Sequence, residues 1–209
     1  MSLEQPKRLS LKKNMVWITL GGAADLLCQW GLIAVISRLM NVEAVGLYGL
    51  AMVVVAPLLA FANLGLREAQ ATDARHEYTF GHYLTLRTLT NVVALIVIAI
   101  VASAMGLEAV GMMVVMLFGL ARVIDAQSNA YHGLFQQCER MDFLAQSNLV
   151  RSMSSLIFFT VALMMTGDLR AGCLGMVASC LLTLVFYDMP RARQLHGYPG
   201  STGPASATR

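Results

Sequence analysis

The chain has 209 residues, of which 57% are hydrophobic and only 13% charged, against about 45–50% and about 25% in ordinary soluble domains. Its mean hydropathy is +0.63, which excludes a disordered chain, a coiled coil, a disulfide-stapled secreted module and a soluble enzyme. The formal charge of +3 is too small an excess to imply nucleic acid, and no nucleic-acid partner is expected.

A bilayer's apolar core, about 30 Å thick, requires roughly 20 mostly apolar residues to be crossed as a helix. In chain order the candidate spans are Asn14–Ser37, Ala44–Leu66, Thr88–Leu107, Ala109 to about Tyr131, Ser152–Gly167 and Ala171–Tyr187. The second and third carry no charge, and the first carries only Asp25. The last two, joined near Asp168 and Arg170, predict an antiparallel hairpin. The fold class is therefore all-α, a polytopic membrane protein with six transmembrane helices. Residues 1–13 read as a basic N-terminal segment, 14–188 as the six-helix lobe, and 189–209 as a disordered tail rich in Gly, Ser, Pro, Ala and Thr.

Positive charge predicts orientation, because Lys and Arg accumulate in cytoplasmic loops. Lys7, Arg8, Lys12, Lys13, Arg67, Arg75, Arg87, Arg140, Arg151, Arg191, Arg193 and Arg209 fall on one side, with only Arg38 and Arg170 on the other. Both termini are thus expected in the cytoplasm. The basic N-terminus precedes an apolar run too long for a signal peptide's core, so the first helix reads as an uncleaved anchor.

Ionisable groups at membrane depth are costly and face a bundle interior or a wet cavity. The first helix places Asp25 and Gln29 on one face, and the second contains Pro57 and Asn63. The fourth carries Arg122, Asp125 and Asn129 as one polar stripe. Asp25 either neutralises Arg122 across two helices, or Arg122 pairs with Asp125 within its own. Gln127 to His132 read as an emerging, wet helix end. His76, His82 and His196 lack metal-ligand spacing, and Cys28, Cys138, Cys173 and Cys180 contain no C-x-x-C. No metal, cofactor or catalytic residue is expected, since H-E-x-x-H, G-x-S-x-G and P-loop patterns are missing.

Ser37-Arg38-Leu39, then Glu43, Gly46-Leu47-Tyr48-Gly49, Pro57 and Asn63-Leu64-Gly65-Leu66-Arg67 form a combined pattern across Ile36 to Arg75. It resembles the N-terminal lobe of bacterial polysaccharide (O-antigen-type) flippases of the multidrug/oligosaccharidyl-lipid/polysaccharide exporter superfamily. Tyr78–Arg87 and Gly133–Asp142 resemble the loops before that family's third and fifth helices, and the likeness runs from about Leu11 to Pro190. The resemblance implies a transporter, not an enzyme, located in the bacterial inner membrane. Its partners would be the lipid bilayer and a polyprenyl-diphosphate-linked oligosaccharide, moved by alternating access. It implies a cavity lined by Asp25, Gln29, Arg38, Asn63, Arg67, Arg122, Asp125 and Asn129, with arginines meeting the diphosphate.

The family has two similar lobes in about twelve to fourteen helices, and this chain has one. It is expected to be either a truncated product or a half that pairs with a second lobe, and inactive alone. The rival expectations are a small homodimeric transporter and a non-transporting scaffold subunit.

Overall fold

The computed structural model describes residues 11–63, 65, 80–138 and 140–195. Every regular element among them is helical: α1 (Leu11–Leu39), α2 (Val42–Asn63), α3 (Phe80–Ala104), α4 (Ala109–Gln137), α5 (Met141–Thr166), α6 (Leu169–Thr183) and α7 (Met189–Gln194). A π-helical turn, Leu184–Asp188, fuses α6 and α7 into one rod, Leu169–Gln194, which is the sixth helix long and apolar enough to cross a membrane. The six apolar runs legible in the sequence therefore form six spans.

Several boundaries differ from expectation. α3 begins at Phe80 and α5 at Met141, so Phe80–Arg87 and Met141–Asp142 are helical; Arg87, expected just inside the third helix, lies deeper in it, and Arg151, expected in a connection, lies inside a span. The chain also stays helical past Asp188. Ala192 and Leu195 are buried with Tyr131, Phe135 and Phe143, and this burial holds α7 in place despite its polar neighbours. The remaining part of the expected tail, residues 196–209, lies outside the described residues, as do Leu64, Arg67 and Arg75.

α4 is the central helix and packs on α2, α3 and α6, while α5 packs on α1 and α6. Tyr48 of α2 ties three of these helices together, meeting Phe118 and Phe159 edge-on at 5.4 and 6.0 Å. The α5–α6 hairpin turns at Gly167, whose φ of 65° falls in the left-handed region that favours glycine. Asp168 then caps α6 by accepting from the Arg170 backbone N–H at 2.8 Å. Small residues bring the hairpin's arms into backbone contact, as is usual between membrane helices: a Cβ on Gly175 would lie 2.7 Å from the Phe158 carbonyl oxygen.

Consecutive helices α1 and α2 touch only slightly. Their apolar outer faces are bare, with Leu27 72% and Phe61 79% exposed, as lipid-facing positions require. The gap between their inner faces opens onto the site.

Candidate functional site

Two apolar clusters fill the bundle, one around Ile36, Val55, Ile98, Phe118 and Phe159, the other around Tyr131, Phe135, Phe143 and Leu184. A polar belt separates them. Asp25 and Arg122 fall at the middle of α1 and α4, and Arg151 lies about 15 Å along α5 from its start at 1.5 Å per residue.

Two consecutive residues of α5 hold the two aspartates. Arg151 donates from Nη1 to Asp125 Oδ1 and from Nη2 to Asn148 Oδ1 at 3.0 Å. Ser152 donates from Oγ to Asp25 Oδ1, and Gln29 donates from Nε2 to Asp25 Oδ2 at 2.9 Å. Because a carboxylate only accepts, the amide of Gln29 must turn its nitrogen toward Asp25 and keep its carbonyl oxygen as a spare acceptor. Arg122 stands 3.8 Å from Asp125 Oδ2 and 5.2 Å from the centre of the Phe118 ring.

Asp25 and Arg122 share the wall of a small space of about 30 Å³, together with Asp125, Arg151 and Ser152, room for about one water. Neither expected pairing holds alone: Asp25 is satisfied by neutral donors, and Asp125 is shared by Arg122 and the unanticipated Arg151. Next to this space, a cavity of about 320 Å³ opens between α1 and α2, floored by α4; Gln29, Asn63, Arg122, Asp125 and Asn129 line it, with Ala60 and Leu59. Six of the eight expected site residues thus meet here. Arg38 is exposed in the last turn of α1 and lines neither space, and Arg67 lies outside the described residues.

The segment Gln127 to His132 is largely buried and bonded, not a wet helix end. Gln127 donates to Thr88 at 3.1 Å and accepts from Asn91 at 2.8 Å. Ser147 donates its proton to Asp188 at 2.6 Å, so the 3.0 Å contact of His132 Nε2 with Ser147 Oγ must run from the imidazole N–H. These groups offset the desolvation of side chains taken out of contact with water. Arg87, counted above among the cytoplasmic-side charges, is only 3% exposed and donates to the carbonyl oxygens of Ala126 at 2.8 Å and Asn63 at 3.2 Å. It fastens the end of α2 to α4. Among the described residues, no group of three His, Cys, Asp or Glu side chains is placed to hold a metal.

Six apolar spans around a mid-depth charged belt define a multi-pass helical membrane protein. The chain belongs to the polysaccharide biosynthesis protein family, whose model matches residues 11–189. It is similar to the capsular polysaccharide biosynthesis protein CapF of Staphylococcus aureus, 25% identical over 176 residues, which cover 84% of this chain and 43% of that protein. The chain thus spans less than half the length of the curated relative it matches. No solved structure gives a significant match.

Proposed function

We propose that this chain is one lobe of a bacterial inner-membrane carrier that flips a polyprenyl-diphosphate-linked oligosaccharide by alternating access, and that it acts as a transporter and not as an enzyme. The observation that carries the reading is the cavity between α1 and α2, with Arg122 on its floor at mid-membrane. A diphosphate cannot shed its hydration into hydrocarbon, and a guanidinium supplies paired donors that replace water on phosphate oxygens. Gln29, Asn63 and Asn129 add neutral hydrogen-bonding groups suited to sugar hydroxyls. Family membership and the similarity to a capsular polysaccharide biosynthesis protein support the glycan class.

The cavity has walls on α1, α2 and α4 and is open opposite them, so a second lobe is needed to enclose the headgroup and rock against this one. Arg87 and Arg151 lie two turns or more inside their helices; leaving these two out of the cytoplasmic-side charges, while keeping residues in the terminal turns of helices on both sides, leaves ten basic residues against two, and this supports cytoplasmic termini.

The test is complementation of a flippase-deficient strain by this chain alone and together with a separately expressed second lobe. Rescue should need both pieces and fail with Arg122→Ala at normal membrane insertion. Full rescue by the chain alone would replace the lobe reading with a homodimer, and rescue indifferent to Arg122 would overturn the site.

A further inference from the structure

Four charged side chains meet where α1, α4 and α5 converge: Asp25, Arg122, Asp125 and Arg151. They are unequally matched. Asp25 is held by two neutral donors, Ser152 and Gln29. Asp125 has an arginine on each oxygen, Arg151 in direct contact with Oδ1 and Arg122 3.8 Å from Oδ2. Arg151 is the more buried of the two, its side chain 12% exposed against 27% for Arg122. Arg151 therefore holds the carboxylate closely, while Arg122, which also lines the larger cavity, is held loosely.

We infer that Arg151 is a positioning residue: by occupying Asp125 it keeps Arg122 available to an anionic, diphosphate-bearing ligand. The inference rests on the anion site proposed above. With Arg151 present the cluster carries two positive and two negative charges. Without it, Asp125 turns its whole charge toward Arg122, the nearest remaining cation, and the cluster becomes net negative. An incoming diphosphate would then compete with an internal carboxylate and be repelled by the uncompensated one. Charges at this separation inside a protein interact far more strongly than in water, so a group that never touches the ligand sets the strength of the site.

The experiment measures binding of inorganic diphosphate to the full chain in nanodiscs of zwitterionic lipid. Wild type should bind, and Arg122→Gln should abolish binding. Arg151→Gln should weaken binding roughly tenfold or more, and Arg151→Lys much less. The decisive variant is Asp125→Asn combined with Arg151→Gln, which removes both charges, frees Arg122 from Asp125 with the cluster again balanced, as in wild type, and should return affinity to within about threefold of wild type. A residue needed only for packing would not be rescued by neutralising its partner. Should Arg151→Gln fail to yield folded protein, Asp125→Asn alone carries the test, with tighter binding than wild type expected and equal or weaker binding contradicting the inference. Equal binding by wild type and Arg151→Gln, or no recovery in the double variant, overturns the role of Arg151 while leaving the anion site standing. Absence of Arg122-dependent binding in wild type overturns both.

Discussion

Arg151 of α5 is bound to Asp125 of α4 in the middle of the bundle, one residue before Ser152, which is bound to Asp25 of α1. One turn of α5 therefore fastens two other helices through their only aspartates at membrane depth. Breaking a buried pair leaves an uncompensated charge, which costs more than the pair itself contributes. The pair is partly exposed, at 12% and 21%, so Arg151→Ala should lower stability by more than about 1 kcal/mol, the value of an exposed pair, and by up to about 3–5 kcal/mol, that of a fully buried one, measured by denaturant titration in detergent micelles, and Arg151→Lys should recover much of the loss. A loss below about 1 kcal/mol, the range of exposed ion pairs, would show that the pair is not buried in solution.

The α5–α6 hairpin depends on backbone contact at Gly175. A methyl group there would stand 2.7 Å from the Phe158 carbonyl oxygen and 2.8 Å from its carbon, and neither can move without shifting the helix. Gly175→Ala should cost about 1–3 kcal/mol in the same assay. Gly22→Ala, with nothing within 4 Å of the added carbon, should not destabilise, since alanine is the better former of a helix interior by about 0.8–1.0 kcal/mol. Equal effects at the two positions would contradict the close approach.

At the tip of that hairpin, hydrogen bonds from the Arg170 guanidinium hold the Asp168 carboxyl below the usual carboxylate range. A lowered value in the folded state means that this pair stabilises fully above the ordinary pKa of about 3.9, and that the gain is lost as pH falls through the folded value. Asp168→Asn keeps a capping oxygen but loses the charge. Its melting temperature should lie below that of wild type at neutral pH, and the gap should close only on acidification below that range. A gap independent of pH would rule out the ionic contribution.

Much of this organisation is legible in the sequence, and the parts that are not have physical causes. The six spans show because long apolar runs have few other uses. Asp25, Arg122 and Asp125 stand out because charges at such positions are rare. Arg151 does not stand out, since the first half of α5 carries Asp142, Gln146, Ser147 and Asn148 and resembles a loop by hydropathy. Those polar residues point inward: Ser147 to Asp188 and Asn148 to Arg151. The recoverable signal was helical spacing, because Asn148, Arg151, Ser152 and Ser155 fall on one face. Arg87 and Asp188 were obscured for the same reason, as polar residues near span ends that the bundle nonetheless buries.

Topology can be checked directly. Reporter fusions after Leu107, between α3 and α4, and after Leu195, beyond the sixth span, should report opposite sides of the membrane, with the latter cytoplasmic. Both reporting the same side would contradict six crossings with both ends in the cytoplasm.

The measurement closest to the central claim is site-specific photo-crosslinking in a bacterium that makes a polyprenyl-diphosphate-linked glycan. A photoreactive residue at Ala60, which lines the cavity beside Asn63 and Arg122, should capture lipid-linked glycan, and Arg122→Gln should abolish that capture. The same residue at Leu27, 72% exposed on the face of α1 opposite Gln29, should capture bilayer lipid without sugar. Glycan captured equally at both positions, or never at Ala60, would contradict a glycan-lipid site between α1 and α2.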